Sequence, residues 1–412
     1  MGRKNDRFVV GLDIGTTKIC CVIAEKKDSG GLDVIGIGRS ASRGLRKGVV
    51  VNVDQTVDAL KSAVEEAELM AGVSVERAFV GVAGGHIKGF NSRGVISIAG
   101  REREVNAEDV ERVIESARAV QLPADRTIFH AVPRDFILDD QDGIRDPVGM
   151  TGSRLEANVH LVTGAISSLS NITNCVNRAG IEVVEMVLEQ LAASETALTH
   201  DEKELGVALV DIGGGTTDLA LFIHGAICHT AVLPTGGDHF TNDIAVGLRT
   251  PVPEAERIKV KFGCALASLV DDDQTIEVPS VGGRKPRVLS RHILCEVLQP
   301  RTEEIFNLLQ EEIERAGYED SLTSGLVVTG GGAILEGVPE IAEQIFDLPV
   351  RRGAPTGVGG LVDGVSSPIF STAVGLVMYG AASPAQAQKT YMPGFIPWKT
   401  AVRVKSWFSE LF

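Results

Sequence analysis

Two segments of this chain, residues 13–18 (DIGTTK) and 211–218 (DIGGGTTD), have nearly the same sequence. Apolar runs rich in β-branched residues precede and follow both segments, which predicts a strand, a tight turn and another strand at each place. Glycine lets backbone N–H groups approach an anion closely, and threonine hydroxyls add further donors. The repetition therefore predicts a duplicated unit that holds one polyphosphate from two sides. An ordinary hairpin explains either segment alone, so the prediction depends on both.

The two turns also supply candidate ligands for a cation. Because Mg²⁺ binds through one or two carboxylates, water and phosphate oxygens, Asp13 and Asp211 are the predicted metal ligands. The ammonium of Lys18 is expected to meet the terminal phosphates. The other turn residues predicted to bind the phosphates are Gly15, Thr16, Thr17, Gly213, Gly214, Gly215 and Thr216.

Two further segments are candidates for binding the nucleoside part of a nucleotide. Glu256 and Lys259 stand three residues apart in a predicted helix, so they share its face and are placed to bracket a ribose and an adenine. A solvated ion pair is the alternative. The strand at 326–328 opens into a glycine-rich turn before a helix at 338–346, and such a turn at a helix N-terminus binds an anion or a ribose. The predicted nucleotide-binding set is completed by Gly236, Gly331, Gly332 and Ala333.

Glu189 is the candidate catalytic residue. It begins a predicted helix, residues 189–198, that follows an apolar strand. A carboxylate there is placed to position or polarise the water that attacks the γ-phosphate of a nucleotide. The alternative is an acidic residue that the helix dipole favours at an N-terminus.

The length of the chain and the changes in polarity along it predict how it divides into domains. A chain of 412 residues exceeds one core, so two or more domains are expected. Residues 84–164 are more polar and contain strand-like pieces around a charged helix at 106–119, which predicts an inserted subdomain. A strand-then-helix core pattern resumes at 155–165. Before the insert, Asp54 is expected to cap a helix that ends at Gly72.

Composition argues against several classes of protein. A formal net charge of −15 argues against a nucleic-acid-binding surface across the chain. The six cysteines include no C-x-x-C pair, so buried thiols in a reducing compartment are expected. No signal peptide is predicted at the basic N-terminus. No apolar run of about 18 residues is present, so no membrane span is predicted.

The last segment, residues 398–412, has the pattern of an amphipathic helix. At 100° per residue, one face and its edge carry Trp398, Val402, Val404, Trp407, Phe408, Leu411 and Phe412. Basic residues lie around this face, and a small, polar segment typical of a flexible linker precedes it. Bulky aromatic residues beside basic ones are typical of a helix that lies in an anionic membrane surface. The alternative is a helix that docks on the core of its own protein.

The order of the motifs, two phosphate turns and then a glycine-rich adenosine turn, resembles that of the actin/Hsp70/sugar-kinase ATPase superfamily. A closer resemblance is to the FtsA family of bacterial cell-division proteins. It is carried by RKGVVVN at 46–52, AELMAG at 67–72 and KVKFG at 259–263, besides the insert and the C-terminal helix. The resemblance implies an α/β, actin-like ATPase fold. Two duplicated lobes surround a nucleotide cleft, with an inserted α+β subdomain and a C-terminal amphipathic helix.

The same resemblance implies a division of the chain into units. These are the first lobe core (1–83 with 165–195 and about 366–383), the insert (84–164), the second lobe core (196–227 and 304–365), the small subdomain of the second lobe (228–303), the linker (384–397) and the membrane helix (398–412).

The function that the resemblance implies is that of a cytoskeletal adaptor. Such a protein binds ATP and Mg²⁺, polymerises on the cytoplasmic face of the inner membrane, and anchors FtsZ at the division site. The FtsZ C-terminal tail would contact residues 228–303, with Arg291 and Arg301 as candidate contacts, and other division proteins would bind the insert. Glu189 takes the place of the water-positioning acid of the related MreB, although Gln190 rather than proline follows it, and ATP hydrolysis is expected to be weak.

Two other functions of the superfamily are alternatives. A small-molecule kinase or other phosphotransferase needs no membrane helix, and an Hsp70-like chaperone needs a substrate-binding domain after the ATPase. The insert and the amphipathic tail favour the adaptor over both.

Overall fold

The computed structural model describes residues 7–28, 30–99 and 103–383. The predicted linker at 384–397 and the predicted amphipathic helix at 398–412 lie outside these residues. Within the described ranges, no helix combines the length and the apolar character that a membrane crossing requires.

The first lobe is built on β1 (Phe8–Ile14), an apolar strand that is almost entirely buried. It pairs antiparallel with β2 (Lys18–Lys26) across the first glycine turn, and parallel with β6 (Arg77–Val82). The strand order is β11-β6-β1-β2-β3-β19, where β3 is Leu32–Ala41, β11 is Glu182–Leu188 and β19 is Gly359–Gly360. A small hairpin of β4 (Leu45–Arg46) and β5 (Val49–Val50) follows β3.

Helices cover both faces of this sheet. On one face lie α1 (Val53–Ala71) and α3 (Ile166–Arg178), and on the other lie α4 (Glu189–Ala197) and α11 (Ser371–Ala382). α1 begins after Asn52, whose side chain accepts from the N–H of Gln55, and it ends at Gly72 in the left-handed conformation. The prediction of Asp54 as the cap is therefore wrong. Asp54 lies in the first turn, where the helix dipole also favours an acid.

The second lobe is built on β12 (Val207–Ile212). This strand pairs antiparallel with β13 (Thr217–Ile223) across the second glycine turn, and parallel with β17 (Leu326–Thr329). The order is β14-β13-β12-β17-β18, where β14 is Ala226–Leu233 and β18 is Val350–Arg352. The remaining elements after α4 are α5 (His200–Leu205), α6 (Gly237–Gly247), α7 (Val252–Phe262), the hairpin of β15 (Thr275–Val278) and β16 (Arg287–Ser290), α8 (Arg291–Ala316), α9 (Val338–Phe346) and α10 (Val362–Val365).

The two lobes repeat one arrangement of strands. The series β18-β17-β12-β13-β14 matches β11-β6-β1-β2-β3 in its order and in its parallel and antiparallel pairings. The turns match as well, because the Gly15 N–H donates to Lys18 O at 3.0 Å and the Gly213 N–H donates to Thr216 O at 2.9 Å. The duplication predicted from the repeated sequence is confirmed.

α4 lies between the two lobes and is buried on nearly all of its sides. Ala192 belongs to the core between α4, α11 and the first sheet. Ala193 and Ala197 pack with Val207 and Leu209 of the second sheet. Small side chains on both sides of one helix therefore let it join the cores of the two lobes.

The insert forms its own antiparallel sheet with the order β7-β10-β8-β9. Its strands are β7 (Lys88–Ser97), β8 (Arg126–Leu138), β9 (Gln141–Ile144) and β10 (Arg154–Ala165), and α2 (Ala107–Arg118) packs on them. β10 is a central strand of this sheet, and the burial of nearly all its side chains explains its apolar sequence. The expectation that the core of the lobe resumes at 155 is therefore wrong, because the chain returns to the first lobe with α3.

A buried polar network joins the insert to the second lobe. His160 on β10 donates from Nδ1 to Oδ1 of Asn91 at 2.8 Å, and its Nε2 accepts from the Thr230 hydroxyl on β14 at 3.0 Å. Asn91 donates in turn to the carbonyl oxygen of Cys228 at 3.0 Å. Burial, with smaller contributions from the charges of His229 and Arg134, lowers the pKa of His160 to about 3. The imidazole is therefore neutral when it holds this contact.

This network predicts a pH dependence of stability. The pKa of His160 is lower in the folded protein than in the unfolded chain, where it is about 6.5. The unfolded chain therefore binds the extra proton first, and the contribution of His160 is complete above pH 6.5 and is lost as the pH falls. We expect this loss to approach roughly 1.4 kcal/mol per pH unit.

Chemical denaturation at pH 7.5, 6 and 5 measures this dependence. The variant H160Q keeps a donor and an acceptor but does not titrate, so its free energy of unfolding should fall less with pH than that of the wild type. Equal slopes for the two proteins would contradict the assignment.

Candidate functional site

The two glycine turns lie face to face between the lobes. A Cβ atom at Gly214 would stand 2.3 Å from Cγ2 of Thr17, and one at Gly215 would stand 2.8 Å from Oγ1 of Thr16. The turns touch because these two positions have no side chain. The Thr16 hydroxyl oxygen also accepts the N–H of Gly48 at 3.1 Å, which fixes the first turn to the β4–β5 hairpin.

A cavity of ≈ 150 Å³ lies between the turns. The predicted site residues that line it are Asp13, Gly15, Thr16, Thr17, Lys18, Glu189, Asp211, Gly213, Gly214, Gly215, Thr216 and Gly331. Both predicted metal ligands, the predicted catalytic residue and both phosphate turns thus face one space.

Lys18 and Asp13 form an ion pair in this cavity. The ammonium donates to Oδ2 of Asp13 at 2.5 Å. Burial alone would lower the pKa of Lys18, but the charge of Asp13 and the hydrogen bond to it, aided by the charge of Asp211, outweigh burial and raise the pKa. Lys18 therefore keeps its positive charge at the place where terminal phosphates are predicted to lie.

Asp211 and Asp218 stand directly opposite each other on β12 and β13. Burial and the charge of Asp13 raise the pKa of Asp211 to about 6. Burial and the charge of Asp211 raise the pKa of Asp218 to about 8. Asp218 accepts hydrogen bonds from Nε2 of Gln190 at 3.0 Å and from the Thr216 hydroxyl at 2.9 Å. Like charges opposite each other on paired strands repel, and a cation in the cavity would relieve this repulsion.

Glu189 is the first residue of α4, as predicted, and it faces the cavity. Burial raises its pKa well above the ordinary value, and the charges of Asp13, Asp218 and Asp211 raise it further. The carboxyl group therefore tends to hold a proton although Lys18 lies in the same cavity. This environment suits a group that exchanges a proton with water, and its catalytic role stays a prediction.

Asp218 and Thr372 line the cavity but were not predicted as site residues. Asp218 ends the repeated segment and pairs with Asp211 across the hairpin. The predicted hairpin alone would therefore have placed Asp218 beside Asp211. Thr372 reaches the site from α11, where its hydroxyl donates to Oδ2 of Asp211 at 3.2 Å. Nothing in the sequence around Thr372 marks it, because the contact depends on how distant elements pack.

α6 begins directly behind the second turn. The N–H groups of Gly237 and Asp238 donate to the carbonyl oxygens of Gly213 and Gly214, each at 2.8 Å. A Cβ atom at Gly236 would stand 2.6 Å from the carbonyl oxygen of Gly213. The structure thus places Gly236 against the backbone of the turn, where it supports the cavity without lining it.

Glu256 and Lys259 form an ion pair at 2.7 Å, in keeping with their spacing on α7. Lys259 also donates to the carbonyl oxygen of Gly237 at 2.9 Å and to the Thr241 hydroxyl oxygen at 2.8 Å. The Thr241 hydroxyl donates to Glu256. Gly237 therefore connects this polar group to the second turn, although neither charged residue lines the cavity.

The glycine-rich turn after β17 differs from its prediction. Gly330, with φ of 84°, and Gly331 are followed by a 3-10 turn at Gly332–Ile334, and α9 begins only after Gly337. The turn therefore does not lie at the N-terminus of α9. The prediction that it binds an anion or a ribose at a helix N-terminus is wrong in this respect. Gly331 lines the cavity, whereas Gly332 packs on Ile212 and the carbonyl oxygen of buried Ala333 accepts from Nε of Arg352 at 2.6 Å.

Arg291 and Arg301, the candidate partner contacts, are both engaged within the chain. Arg291 donates to the carbonyl oxygen of Phe262 at 2.8 Å and pairs with Glu336 at 2.6 Å. Arg301 binds Asp243 with two nitrogens, at 2.7 and 3.1 Å, and also pairs with Glu304. Their side chains are only 17% and 26% exposed. Both guanidinium groups thus organise the second lobe, and a partner role for them stays a prediction.

The residues present fit a polyphosphate with a divalent cation. The glycines let the two turns approach each other around the cavity, which has room for phosphate groups. Asp13 and Asp211 offer the hard oxygen ligands that Mg²⁺ prefers, and phosphate oxygens and water would complete its shell. Lys18 supplies positive charge in the same cavity.

Known proteins resemble the chain at both the sequence and the fold level. A family model described as "Cell division protein FtsA" matches residues 208–375, and one described as "SHS2 domain inserted in FTSA" matches residues 84–163. The cell division protein FtsA of Pseudomonas aeruginosa is 52% identical over 391 residues, which cover 95% of this chain and 93% of that relative.

Two solved structures share the fold at low sequence identity. The PilM-PilN type IV pilus biogenesis complex aligns with a TM-score of 0.67 and 16% identity over 90% of this chain and 98% of that chain. MreB5 of Spiroplasma citri bound to ADP aligns with a TM-score of 0.55 and 18% identity over 90% of this chain and 96% of that chain. The predicted actin-like ATPase fold is confirmed.

The contact between the turns predicts the effect of a single methyl group. G214A would push the second turn away from Thr17, and we expect a loss of roughly 1–3 kcal/mol in the free energy of unfolding from this overpacking. The control is G85A, because Gly85 has no positive φ and no atom within 4 Å of a Cβ placed there. Chemical denaturation compares the two variants. If G85A destabilised the protein as much as G214A, the turns would not be in the contact described.

Proposed function

The chain belongs to the family of cell division protein FtsA, and from this premise we propose an ATP-dependent cytoskeletal adaptor. The protein binds ATP with Mg²⁺ between its lobes and polymerises on the cytoplasmic face of the inner membrane. There it anchors FtsZ, and with it the division ring, at the division site. The observation that carries the proposal is the pair of equivalent glycine turns that close on one cavity.

The phosphates of ATP would bind between the turns. Gly15 and Thr16 of one lobe and Gly213 and Thr216 of the other line this space, and backbone N–H groups of the two turns would donate to phosphate oxygens. Lys18 adds a permanent positive charge. Because each lobe supplies one turn, a triphosphate would contact both lobes at once and favour one relative orientation of them.

Asp13 and Asp211 would hold the cation, directly or through water. A bound Mg²⁺ supplies the positive charge that screens phosphate oxygens from these carboxylates. Its charge would lower the raised pKa of Asp211, so that carboxylate would be ionised when the site is filled. The two ligands come from different lobes, so cation binding also favours the closed cleft.

The nucleoside would extend from the phosphates toward Gly331 and toward α6 and α7. Gly331 lines the cavity, and the ion pair of Glu256 and Lys259 lies across Gly237 from the second turn. Glu256 would accept from the ribose hydroxyls, and the stem of Lys259 would pack against the adenine.

Glu189 would orient the water for hydrolysis of the γ-phosphate. It stands on the buried helix α4 at the lobe junction, and its raised pKa reflects burial and the charges of Asp13, Asp218 and Asp211. Gln190 binds Asp218 from the same helix end. Turnover would be slow and would serve to reset assembly, while binding of ATP would set the lobe orientation that filaments require.

Membrane attachment would depend on the amphipathic helix at 398–412, which lies outside the described residues. Each basic residue near an anionic surface contributes about 1 kcal/mol, so one such helix binds weakly. A filament that carries many copies would bind far more tightly, because each bound helix raises the effective concentration of the others.

The FtsZ tail would dock on the small subdomain of the second lobe, residues 228–303. Val246, Val260 and Val288 are largely exposed on this unit and offer apolar contact. An acidic tail would also compete with Glu336 for Arg291, or with Asp243 for Arg301. These arginines therefore contribute only where the tail displaces an internal partner.

The cation-binding role of Asp211 predicts the effect of D211N. This change keeps the size of the side chain but removes its charge, so we expect ATP affinity in the presence of Mg²⁺ to fall by at least about ten-fold. Calorimetric titration of ATP with Mg²⁺ measures it. The control D273N removes a charge from an exposed aspartate that does not line the cavity, and it should leave the affinity unchanged. Equal affinities for D211N and the wild type would contradict the proposed cation site.

The amphipathic tail predicts how two charge-matched substitutions differ. F408E places a charge on the apolar face, where each helix would lose roughly 1.5–3 kcal/mol of Phe burial. S406E adds the same charge to the polar face. We expect F408E and a deletion of 394–412 to abolish pelleting with anionic liposomes and recruitment of FtsZ to them, while S406E retains both. Normal vesicle binding by the deletion variant would refute membrane attachment through the tail.

A further inference from the structure

α11 is fixed to the first lobe by close backbone contacts. A Cβ atom at Gly11 of β1 would stand 2.7 Å from the carbonyl oxygen of Ala373, and one at Gly375 would stand 1.9 Å from the carbonyl oxygen of Ala192 on α4. β1 leads to Asp13, and α4 begins with Glu189. The helix is thus packed directly on the two elements that carry the carboxylates of this lobe.

The first turn of α11 also makes two hydrogen bonds to the second lobe. The Thr372 hydroxyl donates to Oδ2 of Asp211 at 3.2 Å, and the Ser371 hydroxyl lies 2.7 Å from that of Thr329 at the end of β17. Thr372 is 6% exposed and Ser371 is fully buried. Both contacts cross between lobes, but only that of Thr372 reaches a charged group.

We propose that Thr372 is a positioning residue that orients Asp211 for the cation, an inference that rests on the proposed binding of ATP with Mg²⁺. Asp211 is confined on its other side, because a Cβ at Gly330 would stand only 2.1 Å from its Oδ1. Gly330 adopts a positive φ of 84°, which brings its backbone close without a side chain. The carboxylate is thus held between the Gly330 backbone and the Thr372 hydroxyl.

The two carboxylate oxygens of Asp211 have different neighbours. Oδ2 accepts from Thr372, which selects one orientation of the side chain and adds a hydrogen bond to its charged form. Oδ1 has no such donor on α11 and faces the glycine turn. Groups that hold a ligating carboxylate in place commonly change metal affinity by 10–100-fold when they are removed. Thr372 acts through Asp211, and it does so from the opposite lobe.

The test compares ATP affinity in Mg²⁺ with ATP affinity in EDTA. T372V removes the hydroxyl and keeps the branched shape, so the affinity in Mg²⁺ should fall about ten-fold, while the affinity in EDTA should change less than two-fold. T372S restores the hydroxyl and should restore the affinity. In the D211N background, T372V should have no further effect, because its target is already lost. Should T372V fail to fold, T372A removes the same hydroxyl.

S371A is the matched control, since it removes a buried hydroxyl from the same helical turn that touches no carboxylate. Any loss from S371A should be equal in Mg²⁺ and in EDTA. The inference is overturned if T372V binds ATP as the wild type does, if its loss is the same in EDTA, or if T372S is as impaired. Absence of ATP binding by the wild type would instead overturn the proposed function itself.

Discussion

The burial of several carboxyl groups around one cavity is the constraint on which the cleft depends. Asp13, Glu189, Asp211 and Asp218 face one small cavity beside Lys18. Charges of one sign are costly where water is scarce, and the raised pKa values of Glu189, Asp211 and Asp218 record that cost. The glycine turns allow close approach of the lobes, whereas ionising these buried carboxyl groups costs free energy. A ligand that brings positive charge would reduce this cost, so binding of such a ligand is coupled to the protonation of the cavity.

Besides the contact between the glycine turns, connections of different kinds join the lobes within the described residues. α4 shares its alanines with both cores, the first turn of α11 binds Asp211 and Thr329, and the insert reaches Thr230. The first connection is apolar and insensitive to charge. The second is in direct contact with a predicted cation ligand. We expect a change of charge at the cavity to act first on the hydrogen bond between Thr372 and Asp211.

The sequence predicted those features that local pattern determines. The repeated turns, the flanking strands and the start of α4 at Glu189 follow from glycine placement and apolar runs. One error concerns a local choice of capping residue, and the other depends on distant partners. Asn52 caps α1 in preference to Asp54, and β10 joins the sheet of the insert although its apolar sequence also suits the core of a lobe. Thr372 could not be predicted, because its contact joins α11 to β12 through tertiary packing alone.

The two ends of the insert lie side by side, as in a domain that can be exchanged, but its buried polar contacts tie it to the second lobe. Its chain enters on β7 and leaves on β10, neighbouring strands in which Lys88 pairs with Thr163, so both ends lie side by side. Yet its network satisfies the Thr230 hydroxyl and the Cys228 carbonyl of the second lobe. A foreign subdomain would leave these groups buried and unpaired, at roughly 1–3 kcal/mol each. Chimeras between relatives should therefore transfer β14 together with the insert, and the two segments are expected to evolve as a pair.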